Sequence, residues 1–217
     1  MMFHPRLNDH GKPEGISKPH SPSAISAWSD PSQVGVVVPD GPMPGTLNGM
    51  DFKPWPSPPR TSEGWLALAR GCQFKEPSYD PMSLQPAAGA VILEPDGRIW
   101  LVAPTNGYGG YKVTFPKGKT DGADLRATAI KESYEESGLR VELLAHLVDV
   151  RRSTSVTRYS LAKRTGGSPS DISWESQAVL LVPVDQLKTF LNNKYDMPIL
   201  DALLKSTHSP TSHEFSE

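Results

Sequence analysis

Residues 115–139 read FPKGKTDGADLRATAIKESYEESGL, and both the fold and the chemistry turn on this stretch. It divides into a Pro/Gly/Lys loop, a helix and a glycine stop. Asp124 is a good residue with which to begin a helix, and Gly138 can take the left-handed conformation that closes one. Between them lie Glu132, Glu135 and Glu136. At about 100° per residue these carboxylates fall within one arc of about 100°, while Ala127, Ile130 and Tyr134 fall on the opposite side. One face can bury itself; the other presents three acids to whatever the loop at 117–119 holds.

Like charges on one helix face repel one another by a few tenths of a kcal/mol per i,i+4 pair. A hard divalent cation with oxygen ligands offsets that repulsion. The preceding loop supplies backbone N–H groups and two lysines, Lys117 and Lys119, beside a helix N-terminus, which suits phosphate. Metal-binding acids next to a phosphate-binding loop suggest metal-assisted attack of water on a phosphoanhydride. Gly118-Lys119-Thr120 also looks like the end of a P-loop, G-x-x-x-x-G-K-[ST]. That reading fails, because the first glycine would fall at Val113 and Pro116 interrupts the loop.

Residues 118–139 resemble the Nudix box, the signature of hydrolases acting on nucleoside diphosphates linked to another group. The box reads G, five residues, E, seven residues, then R-E-apolar-x-E-E-x-G-apolar. Gly118 matches the opening glycine, Lys131-Glu132 stands for Arg-Glu, Glu135-Glu136 is the acidic pair, and Gly138-Leu139 is the ending. There are departures. Lys131 replaces the usual Arg and lacks its bidentate fork. Ser133 occupies the apolar position. The spacing from Gly118 to Lys131 is one residue short, so Asp124 or Ala123 stands at the first Glu position.

The resemblance implies that Glu132, Glu135 and Glu136, with the Gly118 carbonyl, hold Mg²⁺ or Mn²⁺. It gives Lys131 a supporting role, and to one glutamate or to Glu175, just before the last strand, the role of general base. Lys117 and Lys119 would meet the phosphates, and Tyr108 and Tyr111, in a Gly-rich loop, would stack on a base or ring. The implied function is metal-dependent hydrolysis of a phosphorylated small molecule, such as a dinucleoside polyphosphate, a diphosphoinositol polyphosphate or an ADP-ribose-like compound. The alternatives are a catalytically weakened nucleotide sensor, or a partner-binding protein that works through its N-terminal segment.

The rest of the chain bounds these readings. With 217 residues there is room for one domain plus extensions. A net charge of −2 gives no footprint for duplex nucleic acid or an anionic membrane. Cys72 is the single cysteine, which fits a reducing, cytoplasmic compartment. No run approaches the ~18 apolar residues of a membrane span, and the six histidines lack metal-ligand spacing. The composition leaves the oligomeric state open.

Residues 1–60 are rich in Pro, Gly and Ser, a composition that predicts a disordered or extended segment. Within it residues 33–38 (QVGVVV) look strand-like, and Trp55 is a candidate docking residue. Residues 61–85 read as a short helix and an irregular lead-in. The domain proper spans 86–204, with strands at 87–93, 98–103, 113–115, 141–152, 154–162 and 178–184. A loop is expected at 163–173, helices at 185–192 (capped by Asp185) and 197–204, and a polar tail at 205–217. Fold class is α+β, the α/β/α sandwich with a mixed sheet that the resemblance implies.

Overall fold

The computed structural model describes residues 2–208. The N-terminal segment forms a hairpin of β1 (Met2–Leu7) and β2 (Pro13–Ile16), a 3-10 turn at Ile25–Trp28, strand β3 (Gly35–Val37) and a small hairpin of β4 (Thr46–Leu47) and β5 (Met50–Asp51). Helix α1 (Ser62–Ala69) follows, capped by the Thr61 side chain. Then come β6 (Gln85–Leu93), β7 (Arg98–Pro104), β8 (Lys117–Lys119) and α2 (Leu125–Ser137). The chain continues through β9 (Leu139–Arg151), β10 (Ser155–Gly167), β11 (Ser176–Pro183), α3 (Leu187–Phe190) and α4 (Met197–His208).

One mixed sheet carries the order β3-β11-β7-β6-β10-β9, with β8 also paired to β6. Its single parallel pair is β6 with β10, running from Gln85↔Ser155 to Leu93↔Lys163. On one face Trp28, Trp65, Ala127 and Ile130 pack against Ile92 and Trp100. On the other, Leu187, Ile199 and Leu203 cover Val91, Leu101 and Phe115. Helices therefore cover both faces, giving the α/β/α sandwich.

The sheet is split where the site forms. Strands β6 and β7 pair only at Ile92↔Trp100 and Leu93↔Ile99. Beyond that point the chain at 114–119 enters between them. Thr114 exchanges two 2.9 Å backbone hydrogen bonds with Val102, and Ala90 N–H donates to Pro116 O at 3.1 Å. Gly118 then pairs with Ala88. The stretch expected as a Pro/Gly/Lys loop is thus the strand β8, and the strand expected at 113–115 is a single bridge. The open edge of β6 supplies backbone partners that local sequence cannot reveal.

Other boundaries move for similar reasons. Residues 163–167 extend β10 instead of opening a loop, because β9 runs alongside as far as Leu139↔Gly167. The helix expected at 185–192 is a 3-10 turn (Val184–Gln186) followed by the short α3, with Asp185 inside the turn, not capping it. The last helix runs on to residue 208, taking the start of the expected tail; the rest of that tail lies outside the described residues.

Of the two expected forms, disordered or extended, the N-terminal segment takes the extended one and lies against the domain. It needs no core of its own because it borrows the domain's. Trp28, 1% exposed, lies 6.0 Å from Trp100 and 6.1 Å from Phe52, ring to ring. Strand β3 adds to the sheet edge at β11. Two buried arginines satisfy the segment's carbonyls. Arg98 donates to Trp28 O at 2.7 Å, and Arg164, paired with the buried Glu94, donates to Leu47 O at 2.9 Å. Abundant proline lowers the entropy lost on ordering. Trp55 packs 5.8 Å from Trp65 and 5.2 Å from Tyr134, so its indole is taken up by the domain.

Trp28→Ala should therefore cost about 3–5 kcal/mol in urea denaturation, the figure for truncating a buried aromatic. A loss below about 0.5 kcal/mol, the range of surface substitutions, would show that the segment is peripheral to the fold.

Candidate active site

Helix α2 begins where Asp124 Oδ1 accepts from the N–H groups of Arg126 (2.9 Å) and Ala127 (3.0 Å). It stops at Gly138, which takes φ 69°. Ala127, Ile130 and Ser133 are buried. Ser133, at the position where the box has an apolar residue, donates from Oγ to Ala129 O at 2.7 Å, so its hydroxyl is satisfied within the helix.

The acidic face is not open to solvent along its whole length, because β8 closes over part of it. Glu132 is only 8% exposed. A Cβ on Gly118 would lie 2.2 Å from the Glu132 carboxyl group, so only glycine permits this approach. The next turn is tied to the same strand: Lys117 N–H donates to Glu136 Oε2 at 2.9 Å. Lys131 reaches along the helix with Nζ 2.5 Å from Glu135 Oε2 and 3.5 Å from Glu132 Oε1.

A fourth carboxylate arrives from far along the chain. Glu175 lies on the loop between β10 and β11, and its carbonyl accepts from Thr105 N–H at 2.8 Å. Ser173 N–H donates to Glu135 O at 3.2 Å, joining the loop to α2. Single oxygens of Glu132, Glu135 and Glu175 all lie within 4.8 Å of one another.

The electrostatics register this crowding. Burial pushes the Glu132 carboxyl up to about 7; the nearby charges of Glu135 and Glu175 add to the rise, and Lys131 opposes it. Burial also raises Glu136, with Glu132 and Glu175 adding and Lys117 opposing. Glu175 is raised by burial and by the charges of Glu135 and Asp9. Burial works against the charge on Lys131, but its hydrogen bond to Glu135 and the carboxylate charges leave its pKa raised. Burial and like charges together make these carboxylates costly to ionise, a cost that a divalent cation would offset. Hard oxygen donors so placed suit Mg²⁺ or Mn²⁺.

A model of the NUDIX domain matches residues 83–203, more than half of the chain. The chain belongs to the Nudix family. Two strains of Caulobacter vibrioides each have an RNA pyrophosphohydrolase 42% identical over 62 residues, which are 28% of this chain and 36% of that protein. The chain spans about a third of the length of these curated relatives. Among solved structures, a NUDIX hydrolase from Nitrosomonas europaea superposes with a TM-score of 0.51 at 13% identity, covering 57% of this chain and 90% of that one. That likeness concerns the fold. An Ap4A hydrolase from C. elegans gives a TM-score of 0.47 at 22% identity, over 56% of this chain and 97% of its own.

In this Nudix domain the expected site residues fall into two groups. Glu132, Glu135 and Glu175 converge, with Gly118 and Lys131 against them. Glu136 stands beside them, engaged by the Lys117 amide. The Lys117 ammonium lies 4.7 Å from the centre of the Tyr111 ring. Lys119 is exposed, and its ammonium has no ion-pair partner among the described residues. Tyr108 is 84% exposed. Tyr111 is hydrogen-bonded to Arg152, which also donates to Tyr159 Oη at 2.8 Å and lies 3.5 Å from the fully buried Asp196. Sequence reading missed Arg152 and Asp196; they lie just after β9 and just before α4, in runs with no motif, and only the tertiary fold brings them together with Tyr111.

Gly118→Ala should drive the Glu132 carboxyl away from Glu135 and Glu175. Mn²⁺ binding, followed by electron paramagnetic resonance, should weaken about 10-fold or more, with the circular dichroism spectrum unchanged. Unaltered Mn²⁺ affinity would disprove the contact's importance.

Proposed function

We propose that this Nudix protein is a metal-dependent hydrolase that cleaves a phosphoanhydride in a nucleoside diphosphate linked to a further group. The observation that carries this reading is the convergence of Glu132, Glu135 and Glu175 oxygens within 4.8 Å. Family membership supports it.

Glu132 and Glu135 would hold Mg²⁺ or Mn²⁺ together with Glu175 and the Gly118 carbonyl, and Glu136 would stand behind them, fixed by Lys117 N–H. A metal ion there neutralises diphosphate charge and lowers the pKa of water bound to it. The Glu175 oxygen turned away from the ion would be the proton acceptor, since this carboxylate makes no hydrogen bond or ion pair among the described residues. Base catalysis of this kind contributes about 10²–10⁴-fold. Lys117 would stabilise charge on the phosphoryl oxygens, and the exposed Tyr108 would offer its ring to the base or leaving group. Lys119, on the open side of β8, would meet a more distant phosphate.

Two of the three departures from the box that would favour a nucleotide sensor, Lys131 and Ser133, have partners of their own. Lys131 bridges both neighbouring glutamates and Ser133 is internally bonded, so no separate observation favours a binding-only protein. Two lysines on one short strand favour substrates with several phosphates. The named relatives add RNA to the dinucleoside polyphosphates, diphosphoinositol polyphosphates and ADP-ribose-like compounds already considered.

The test is product release from this panel with Mg²⁺ or Mn²⁺ and with EDTA. Cleavage of one class, abolished by EDTA, is expected; silence across the panel by folded protein would overturn the reading. Glu135→Gln should lower turnover by about 10² or more with melting behaviour retained, and near-normal turnover would remove Glu135 from the metal site. Lys131→Arg should leave turnover equal or higher, because Arg can serve both glutamates through its fork. A large loss would show that Lys131 does more than support them.

A further inference from the structure

A carboxylate on a loop is useful only if the loop is held. Glu175 brings an oxygen within 4.8 Å of oxygens of Glu132 and Glu135, and like charges so close repel one another, so the loop needs anchors. Its own domain provides several: Thr105 Oγ1 donates to Trp174 O at 2.7 Å, Thr105 N–H to Glu175 O, Ser173 N–H to Glu135 O, and Asn106 N–H to Gln177 Oε1 at 3.0 Å. Further anchors come from the first twenty residues of the chain. Arg6 Nη2 lies 2.8 Å from Asp171 Oδ1, and the same guanidinium grips both oxygens of Asp40. Trp174 Nε1 donates to Asp9 Oδ1 at 3.0 Å. His4 Nε2 lies 3.1 Å from Ser176 O, and Gln177 Nε2 donates to Lys18 O at 2.9 Å.

These contacts bracket Glu175 on both sides, at 171, 174, 176 and 177. The hairpin is fastened in turn to the loop after β7: Asn106 Nδ2 donates to Gly15 O at 2.7 Å, and Asn106 Oδ1 accepts from Ser17 N–H at 2.8 Å. The Thr105–Asn106 segment, which helps to fix the Glu175 loop, is therefore itself tied to the N-terminal hairpin.

We propose that the β1–β2 hairpin is a positioning element of the metal site, in which Asp9 through Trp174, and Arg6 through Asp171, hold Glu175 within reach of Glu132 and Glu135. This rests on the reading that Glu175 serves the site. The hairpin touches neither metal nor substrate; it acts through the loop. Its composition, poor in apolar residues facing inward, suits a strap fastened by polar contacts and not a core element.

The test uses the full-length chain, with Mn²⁺ itself as probe in electron paramagnetic resonance and with turnover of the substrate found by the panel. Glu175→Gln sets the scale. Asp9→Ala and Trp174→Phe should each weaken Mn²⁺ binding and lower kcat by about 3- to 10-fold, with KM little changed, and the pair together should do no more than either alone, since both remove one hydrogen bond. Asp9→Asn, uncharged like Asp9→Ala but still an acceptor for the indole N–H, should bind Mn²⁺ more tightly than Asp9→Ala. Arg6→Ala combined with Asp9→Ala should approach Glu175→Gln, in the 10- to 100-fold range of residues that orient metal ligands. If Glu175→Gln weakens Mn²⁺ binding while the Asp9, Trp174 and Arg6 variants leave it unchanged, the hairpin does not position the site. If the hairpin variants lower only the melting temperature, with Mn²⁺ affinity and kcat intact below it, the role is structural and the proposal falls. If Glu175→Gln itself changes neither Mn²⁺ affinity nor kcat, the functional reading of Glu175 fails first and takes the hairpin's role with it.

Discussion

Mutual repulsion among carboxylates is the constraint around which this molecule is arranged. Glu132, Glu135 and Glu175 bring oxygens within 4.8 Å of one another in a partly buried place, where water screens them poorly. No side chain would settle there unaided. Each surrounding device can be read as resistance to that repulsion: a helix capped at both ends, a strand whose glycine lets Glu132 lie flat against it, an amide that holds Glu136, and a lysine shared by two glutamates. Such a site is mechanically set and electrostatically short of cations, which is the condition under which a divalent ion binds with least rearrangement.

The split in the sheet makes this possible. Had β6 and β7 paired along their full length, residues 114–119 would have run outside the sheet and Gly118 would not meet α2. By entering the gap, the chain gives its backbone groups partners on both sides and places the Lys117 amide in front of Glu136. The same segment carries Lys117 toward Tyr111, above the buried Arg152 and Asp196. The carboxylates and the Tyr111 ring thus meet along one short strand, with the acids on its α2 side and the tyrosine on the other.

The N-terminal segment shows how a Pro-rich chain can be ordered without a core. Arg98 and Arg164 sit inside the domain with donors to spare, and the segment's carbonyls use them. The Glu94 carboxylate, which takes Arg164, the Trp100 indole and Asn48 together, keeps that buried charge compensated. Once residues 28–55 are fastened in this way, the hairpin before them lies next to the Glu175 loop, and the route from segment to site is short.

Local patterns determined much. Asp124, the apolar spacing and Gly138 were enough to place α2 to the residue, and its glutamates with it. Runs of apolar and β-forming residues placed β6, β7 and β11 to within two positions, and the start of β10, and the box glutamates pointed to metal and phosphate. These are decisions taken within one turn or one strand, where the neighbours in space are neighbours in sequence. Tertiary structure decided the rest. That Lys117–Lys119 is a strand depends on the free edge of β6; that β10 runs to Gly167 depends on β9; that Glu175 joins Glu132 depends on a loop between strands far from α2. The order of the first sixty residues depends on arginines that lie some seventy residues or more further on. Composition speaks for a segment's own capacity to bury surface, and is silent about surface that another part of the chain holds ready for it.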